Sequence, residues 1–302
     1  MTTEVDLRIG NWGRWGDDDE RGTANLADAD ATLAALSGVR TGTVFSLGLV
    51  LKQRNFPVPD SRLPPLHLMA CDGGAYLAGA KPEGGAEMAD SYITVGTQVG
   101  THLDALCHIW DDEQLYNGFS RAEVRTTSGA RRNGIDKVGA IVTRGILLDL
   151  PRHLGVRRLE KGQAITSEMI ASCLEADGLE LRSGDAVLLR TGWLSLFYED
   201  PEEFDSGEPG IDVAAAKFLT DHDVALIGAD NMAIEVMPWD TSGRRKVAPA
   251  HLHLIRDHGV HLLELVQLDE LAEAGHKEFL FVVSPLRIKG GVGSPVNPLA
   301  IC

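Results

Sequence analysis

The chain has 302 residues, 44% of them hydrophobic and 24% charged, and a formal net charge of −16. That is enough apolar chain for a sizeable core, in one large domain or two small ones. The acidic balance speaks against a nucleic-acid binder, which needs a basic stripe; RRNG at 131–134 is too short and isolated to serve.

No segment reaches the roughly 18 consecutive apolar residues of a spanning helix. The opening MTTEVDLRIGNWG has no apolar run of a signal peptide, so a cytoplasmic protein without membrane contact is expected. Cys71, Cys107, Cys173 and Cys302 lack paired spacing and are expected as free thiols.

In chain order, residues 10–25 combine glycine, tryptophan and acids and read as a loop. A strand is predicted at 44–51 (VFSLGLVL), followed by Pro- and Gly-rich stretches at 53–65 and 71–90. Further strands are predicted at 140–150, 185–193, 223–230, 260–268 and 278–288, each a short apolar run bounded by Gly, Pro or Asp. Loops are read at 111–135 and, strongly acidic, at 198–211.

Helices are predicted at 166–178, with Thr166 as cap and Gly178 as stop; at 212–223, burying Val213, Ala216, Phe218 and Leu219; and at 248–259, with Pro249 near its start and Gly259 past its end. The irregular alternation with excess β predicts one α/β or α+β domain over 1–302, with an N-terminal arm to about residue 40.

TQVGTHLDALCHIW at 97–110 carries the chemistry. Val95, Thr97, Val99, Thr101, Leu103, Ala105, Cys107 and Ile109 are small, apolar or threonine, whereas Gln98, His102, Asp104 and His108 alternate with them. An extended chain sends these sets to opposite faces. Same-side neighbours in a strand lie about 6.6 Å apart, so His102 and Asp104 can share an ion directly. Gln98 and His108 join them only if the chain bends, and Gly96 and Gly100 permit it. A kinked strand that turns after Asp104 is therefore expected. Several buried polar groups on one face need a common partner, and a divalent cation with N and O ligands, Zn²⁺ or Mn²⁺, provides one.

PAHLHLIRDHGVHLLEL at 249–265 adds four histidines and Glu264. On a helix, His251 and His253 are about 200° apart, so only one can face a site. Glu264 shares a strand face with Leu262 and Val260 and needs a partner there.

QVGTHLDALCH (98–108) resembles the H-x-G-T-H-x-D-x-x-x-H signature of the metal-dependent cyclase-like hydrolases, the family of bacterial kynurenine formamidase, isatin hydrolase and trans-dienelactone hydrolase. NWGRWGDDDERGTANL, GDAVLLRTGW, ALIGADNMAIEV, HGVHLLEL and PLRIKGGVGSPVNPLAI extend the resemblance over almost the whole chain. It implies a swivelling β/β/α fold, usually a homodimer or homotetramer, and hydrolysis at a carbonyl of a small molecule by metal-activated water.

His102 and Asp104 match the family's metal ligands, and His108 its general acid/base. Glu264 matches an acidic position near the metals, and His251 or His253 a distal histidine, with His251 favoured because it follows the APA turn. The chain departs from the pattern at the first ligand, where Gln98 replaces histidine. That favours Mn²⁺ somewhat over Zn²⁺, in one or two ions, and argues against strict kynurenine formamidase activity. Trp110, then Trp15, with Asp230 and Asn231, are the candidate substrate contacts. A lyase or ring-closing cyclase using the same metal, and a non-catalytic metal-binding protein, are the alternatives.

Overall fold

In the computed structural model, which describes residues 9–59, 61–239 and 247–302, the apolar runs become neighbours in one curled mixed sheet. Its strands are β1 (Val44–Ser46), β2 (His102–Asp104), β3 (Ile141–Asp149), β4 (Ala186–Arg190), β5 (Leu226–Ala229), β6 (His261–Glu264), β7 (Glu278–Val283), β8 (Gly293–Pro295) and β9 (Leu299–Ile301). Their order is β1-β9-β7-β3-β4-β5-β6-β2-β8. Strands β3 to β6 are parallel, and the pairings on both flanks are antiparallel. The expectation of an α/β fold on a central mixed sheet holds. The sheet stays open, with β1 and β8 as its edges.

The central strands are mostly apolar and buried because both faces are covered. Along β4, Val187 and Leu189 enter one core with Ile146, Ile227 and Leu262, while Ala186 and Leu188 enter another with Leu103, Leu226 and Leu263. The first core is closed by α2 (Ser167–Asp177), α3 (Val213–Asp221) and a helical segment, Pro249–His251, that runs on into a π-helix, Leu252–Asp257. Thr166 caps α2, and Gly178 ends it in the left-handed region. Asp212 caps α3. That helix turns Ala215, Ala216, Leu219 and Thr220 inward, so Val213, expected inside, is exposed and Phe218 is half-buried.

Three further expectations are corrected. Within the predicted N-terminal arm, residues 1–8 lie outside the described residues, and Ala29–Gly38 form a helix, α1, docked on β3 and β7. Asp28 caps it, and the Thr32 hydroxyl donates to the Val142 carbonyl at 2.7 Å. Its sequence hid it because Ala35 is its one fully buried residue. The strand at 44–51 stops at Ser46. The strand predicted through 95–104 begins only at His102, because the preceding residues turn with Gly100 at φ 67°. A side chain at Gly100 would also strike the Phe56 ring.

Leu66–Cys71 and Asp90–Thr94 form a separate antiparallel hairpin. Leu66, Leu68, Met69, Tyr92 and Ile93 are exposed on it. Among the described residues, no helix is long and apolar enough to cross a membrane.

Candidate active site

Strands β2 and β6 pair antiparallel with Glu264 opposite His102 and Leu263 opposite Leu103. The leucines enter the core on one face, which sends His102, Asp104 and Glu264 to the other, the face of Leu262 and the π-helix. There His102 Nε2 lies 3.1 Å from Glu264 Oε2 and 3.8 Å from Asp104 Oδ1. The three side chains are almost wholly buried.

The His102 tautomer follows from its other nitrogen. Nδ1 is 2.7 Å from the Gly100 carbonyl, which can only accept, so Nδ1 carries the hydrogen. In the neutral ring Nε2 then turns a lone pair toward two carboxylates. His102 Nε2 and Asp104 Oδ2 both lack a hydrogen-bond partner; the 3.1 Å approach to Glu264 is close without being aligned as a hydrogen bond. Buried carboxylates without counter-charge cost several kcal/mol each. Protons on the imidazoles, or a cation, relieve that cost.

With no cation, burial opposes charging of His102, but the close Glu264 carboxylate, together with Asp104, prevails and raises its pKa. Ligand atoms of His102, Asp104 and Glu264 lie within 4.8 Å of one another, and the orphaned lone pairs point among them. This donor set fits a divalent ion such as Zn²⁺ or Mn²⁺.

Of the two alternative histidines, His251 faces the cluster. Its Nε2 is 3.3 Å from Glu264 Oε1, and its Nδ1 is 2.8 Å from Glu235 Oε1. Burial opposes charging of His251, yet Glu235 and Glu264 raise its pKa to about 10. Burial likewise opposes ionisation of Glu264, but His102 and His251 lower its pKa to about 2. His253 points away, to Thr220 Oγ1 at 3.0 Å. His258 stacks against His253 and, mainly through burial, falls to about 4. His261 faces the Asp104 and Arg21 carbonyls.

The Gly100 turn brings Gln98 back to Asp104, with Nε2 at 3.4 Å from Oδ1. The carboxamide faces the cluster with its nitrogen: Nε2 also donates to the Val292 carbonyl at 2.9 Å, and Oε1 accepts from Thr97 Oγ1 at 2.7 Å. In this arrangement Gln98 turns its nitrogen, rather than the oxygen expected of a ligand, toward Asp104.

His108 Nε2 lies 4.0 Å from Asp104 Oδ1. Its side chain is 28% exposed, in a cavity of about 350 Å³ that reaches Glu264 and His251. Burial pushes the intervening Cys107 thiol up to about 12, so it packs as a small apolar group.

A family profile described as "Putative cyclase" matches residues 35–236. The chain belongs to this cyclase family. Over 222 residues it is 24% identical to isatin hydrolase of Roseibium aggregatum, a match covering 72% of this chain and 76% of the relative. Over 123 residues it is 31% identical to kynurenine formamidase of Bacillus cereus, covering 41% of this chain and 52% of the relative. The crystal structure of a novel cyclase superposes with TM-score 0.91 at 36% identity, over 98% of this chain and all of that one. Isatin hydrolase A from Ralstonia solanacearum shares the fold, with TM-score 0.63 at 20% identity over 90% of this chain and 95% of that one. The chain is an enzyme of the hydrolase class, as its named relatives are, and a fold neighbour at 21% identity is described as a potential metal-dependent hydrolase with cyclase activity.

The remaining expected substrate contacts of this cyclase lie elsewhere. Asp230 is buried, with one oxygen accepting from Thr191 N and Oγ1 and the other from Gly192 N. Asn231 is spent on the Pro209 carbonyl and the Ile234 amide. Both side chains are thus engaged in holding neighbouring loops. Trp15 lies under the Arg14 guanidinium, which pairs with Asp223 before β5. Trp110 is 40% exposed and does not line the cavity. Trp239 does, with Arg62, Ile109, Met232 and Met237. Among the described residues, the buried Trp239 Nε1 meets no hydrogen-bond partner. Sequence reasoning missed Arg62 and Glu235: the first sits in a Pro-rich loop, and the second lies within an apolar run with no spacing to link it to His251.

Proposed function

We propose that this cyclase-family member hydrolyses a small cyclic amide, lactone or aryl formamide at a cation centre held by His102, Asp104, His251 and Glu264. The observation that carries the reading is the buried cluster itself: two imidazole nitrogens and two carboxylates converge, with His102 Nε2 and Asp104 Oδ2 left unpartnered. When bound, a divalent ion, Mn²⁺ or Zn²⁺, supplies Lewis acidity to a carbonyl oxygen and acidifies water.

The chain's own groups do the rest. Gln98 holds Asp104 in place through its amide nitrogen. His108, at the cavity edge of the cluster, takes a proton and returns it to the leaving nitrogen or oxygen. Met232, Met237 and Trp239 accept an apolar or aromatic body, while Arg62 and the Trp239 indole N–H offer donors to its polar atoms.

The test is turnover of a panel of lactones, lactams and formamides by cation-loaded protein, followed by product mass. A gain of one water supports the reading; unchanged mass or loss of water supports ring closure or elimination instead. The expected homodimer or homotetramer has support in the exposed apolar side chains of the Leu66–Cys71 and Asp90–Thr94 hairpin. A two-stranded ribbon is marginal in water by itself. Light scattering on the eluting protein decides the mass.

A further inference from the structure

We propose that Glu235 is a positioning residue that fixes which nitrogen of His251 faces the cation centre. The proposal rests on the reading of that centre given above.

Glu235 is buried, and its carboxylate receives two donors. Oε2 accepts from the Ala250 amide at 2.8 Å, and Oε1 lies 2.8 Å from His251 Nδ1. Without a cation both ring nitrogens can donate, Nδ1 to Glu235 and Nε2 to Glu264 Oε1 at 3.3 Å; in the neutral ring that a cation requires, the Glu235 carboxylate keeps the hydrogen on Nδ1 and frees the Nε2 lone pair for the centre. The same carboxylate thus selects the ring's tautomer and ties down the first turn of the segment that carries it.

The loop that aims Glu235 is held in a costly conformation. Ile234 is β-branched and sits at φ 61°, in the left-handed region. Such a conformation is costly for a β-branched residue and persists only where its surroundings over-determine it. Here they do. Asn231 Oδ1 accepts from the Ile234 amide at 2.9 Å, and its Nδ2 donates to the Pro209 carbonyl at 2.7 Å. The buried Glu208 carboxylate accepts from the Met232 and Ala233 amides at 2.7 and 2.8 Å. Asn231, prominent in the sequence, therefore bears on the centre through the backbone that presents Glu235.

Glu235→Gln tests the assignment. The Ala250 amide can only donate, so it takes the carboxamide oxygen, and the carboxamide NH₂ then faces His251 Nδ1. That reverses the tautomer and puts a hydrogen on the side of the cation. Competition against a chromogenic chelator, with Zn²⁺ and with Mn²⁺, should show affinity about 10- to 100-fold weaker than in the unsubstituted protein. Far-UV circular dichroism should remain that of the folded chain. Glu235→Asp keeps a carboxylate, and its affinity should fall between the two.

Equal affinity in Glu235→Gln and the unsubstituted protein overturns the proposal. If Glu235→Gln does not fold, Glu235→Asp decides, and affinity equal to that of the unsubstituted protein overturns it in the same way. An unsubstituted protein that takes up no cation sinks the parent reading and this one with it. Tight uptake that ignores Glu235 sinks this one alone.

Discussion

Glu264 on β6 stands directly opposite His102 on β2, with Oε2 3.1 Å from Nε2. The centre is thus a product of strand register. A slip of one residue would send Glu264 to the face of Leu263 and dissolve the cluster.

Cation uptake should release protons. In the cation-free protein the pKa of His251 is raised to about 10, and that of His102 is raised as well. Near neutral pH the His251 ring carries a proton that a cation must displace. The empty state binds more protons than the loaded one, so affinity should strengthen as pH rises from 6 to 8. Titration calorimetry in buffers of different ionisation heat measures the release; affinity independent of pH would contradict it. The same raised values stabilise the cation-free fold fully below the ordinary histidine value of 6.5, and that contribution is lost as pH climbs toward about 10. The cation-free melting temperature should decline over that window.

His108→Ala should separate chemistry from binding. The side chain sits at the cavity edge, 4.0 Å from Asp104, and is more accessible than the buried cluster. Turnover should fall by roughly 10²- to 10⁴-fold while cation content stays near that of the unsubstituted protein. Loss of the cation together with activity would make His108 a ligand instead.

Gly293→Ala should weaken the centre from outside it. Gly293 pairs with Asp104 across β2 and β8, and a methyl there would strike Gln98 Nε2. The flexible carboxamide would swing aside and release Asp104. Cation affinity should drop several-fold with the fold intact, and Gln98→Ala should do the same. Unchanged affinity in both would remove Gln98 from the account.

Trp239→Ala should raise KM and leave cation binding alone, because Trp239 lines the cavity outside the cluster. Trp110→Ala should change neither, a direct contrast between the tryptophan nearest His108 in sequence and the one nearest it in the cavity. Saturation kinetics on whichever substrate turns over provides the comparison.

Much of this was legible in the residues. The parity of 101–108 is realised as Leu103 into the core and His102 and Asp104 into the cluster, and the 200° argument separated His251 from His253. Gly100 supplies the expected bend. What stayed hidden depends on long-range placement. Glu235 meets His251 through a loop whose left-handed Ile234 no propensity foretells. Trp239 and Arg62 reach one cavity from segments far apart in sequence. The Gln98 carboxamide takes its direction from the adjacent Thr97 hydroxyl and from the Val292 carbonyl, a partner visible only once β8 lies beside β2.

The central claim is that His102, Asp104, His251 and Glu264 bind a divalent cation on which hydrolysis depends. Elemental analysis of the purified protein, before and after chelation and reloading, and of His102→Ala treated identically, tests it most directly. The account predicts at least one Mn²⁺ or Zn²⁺ per chain, hydrolase activity that vanishes on chelation and returns on reloading, and neither cation nor activity in His102→Ala. A His102→Ala protein that keeps both would contradict it.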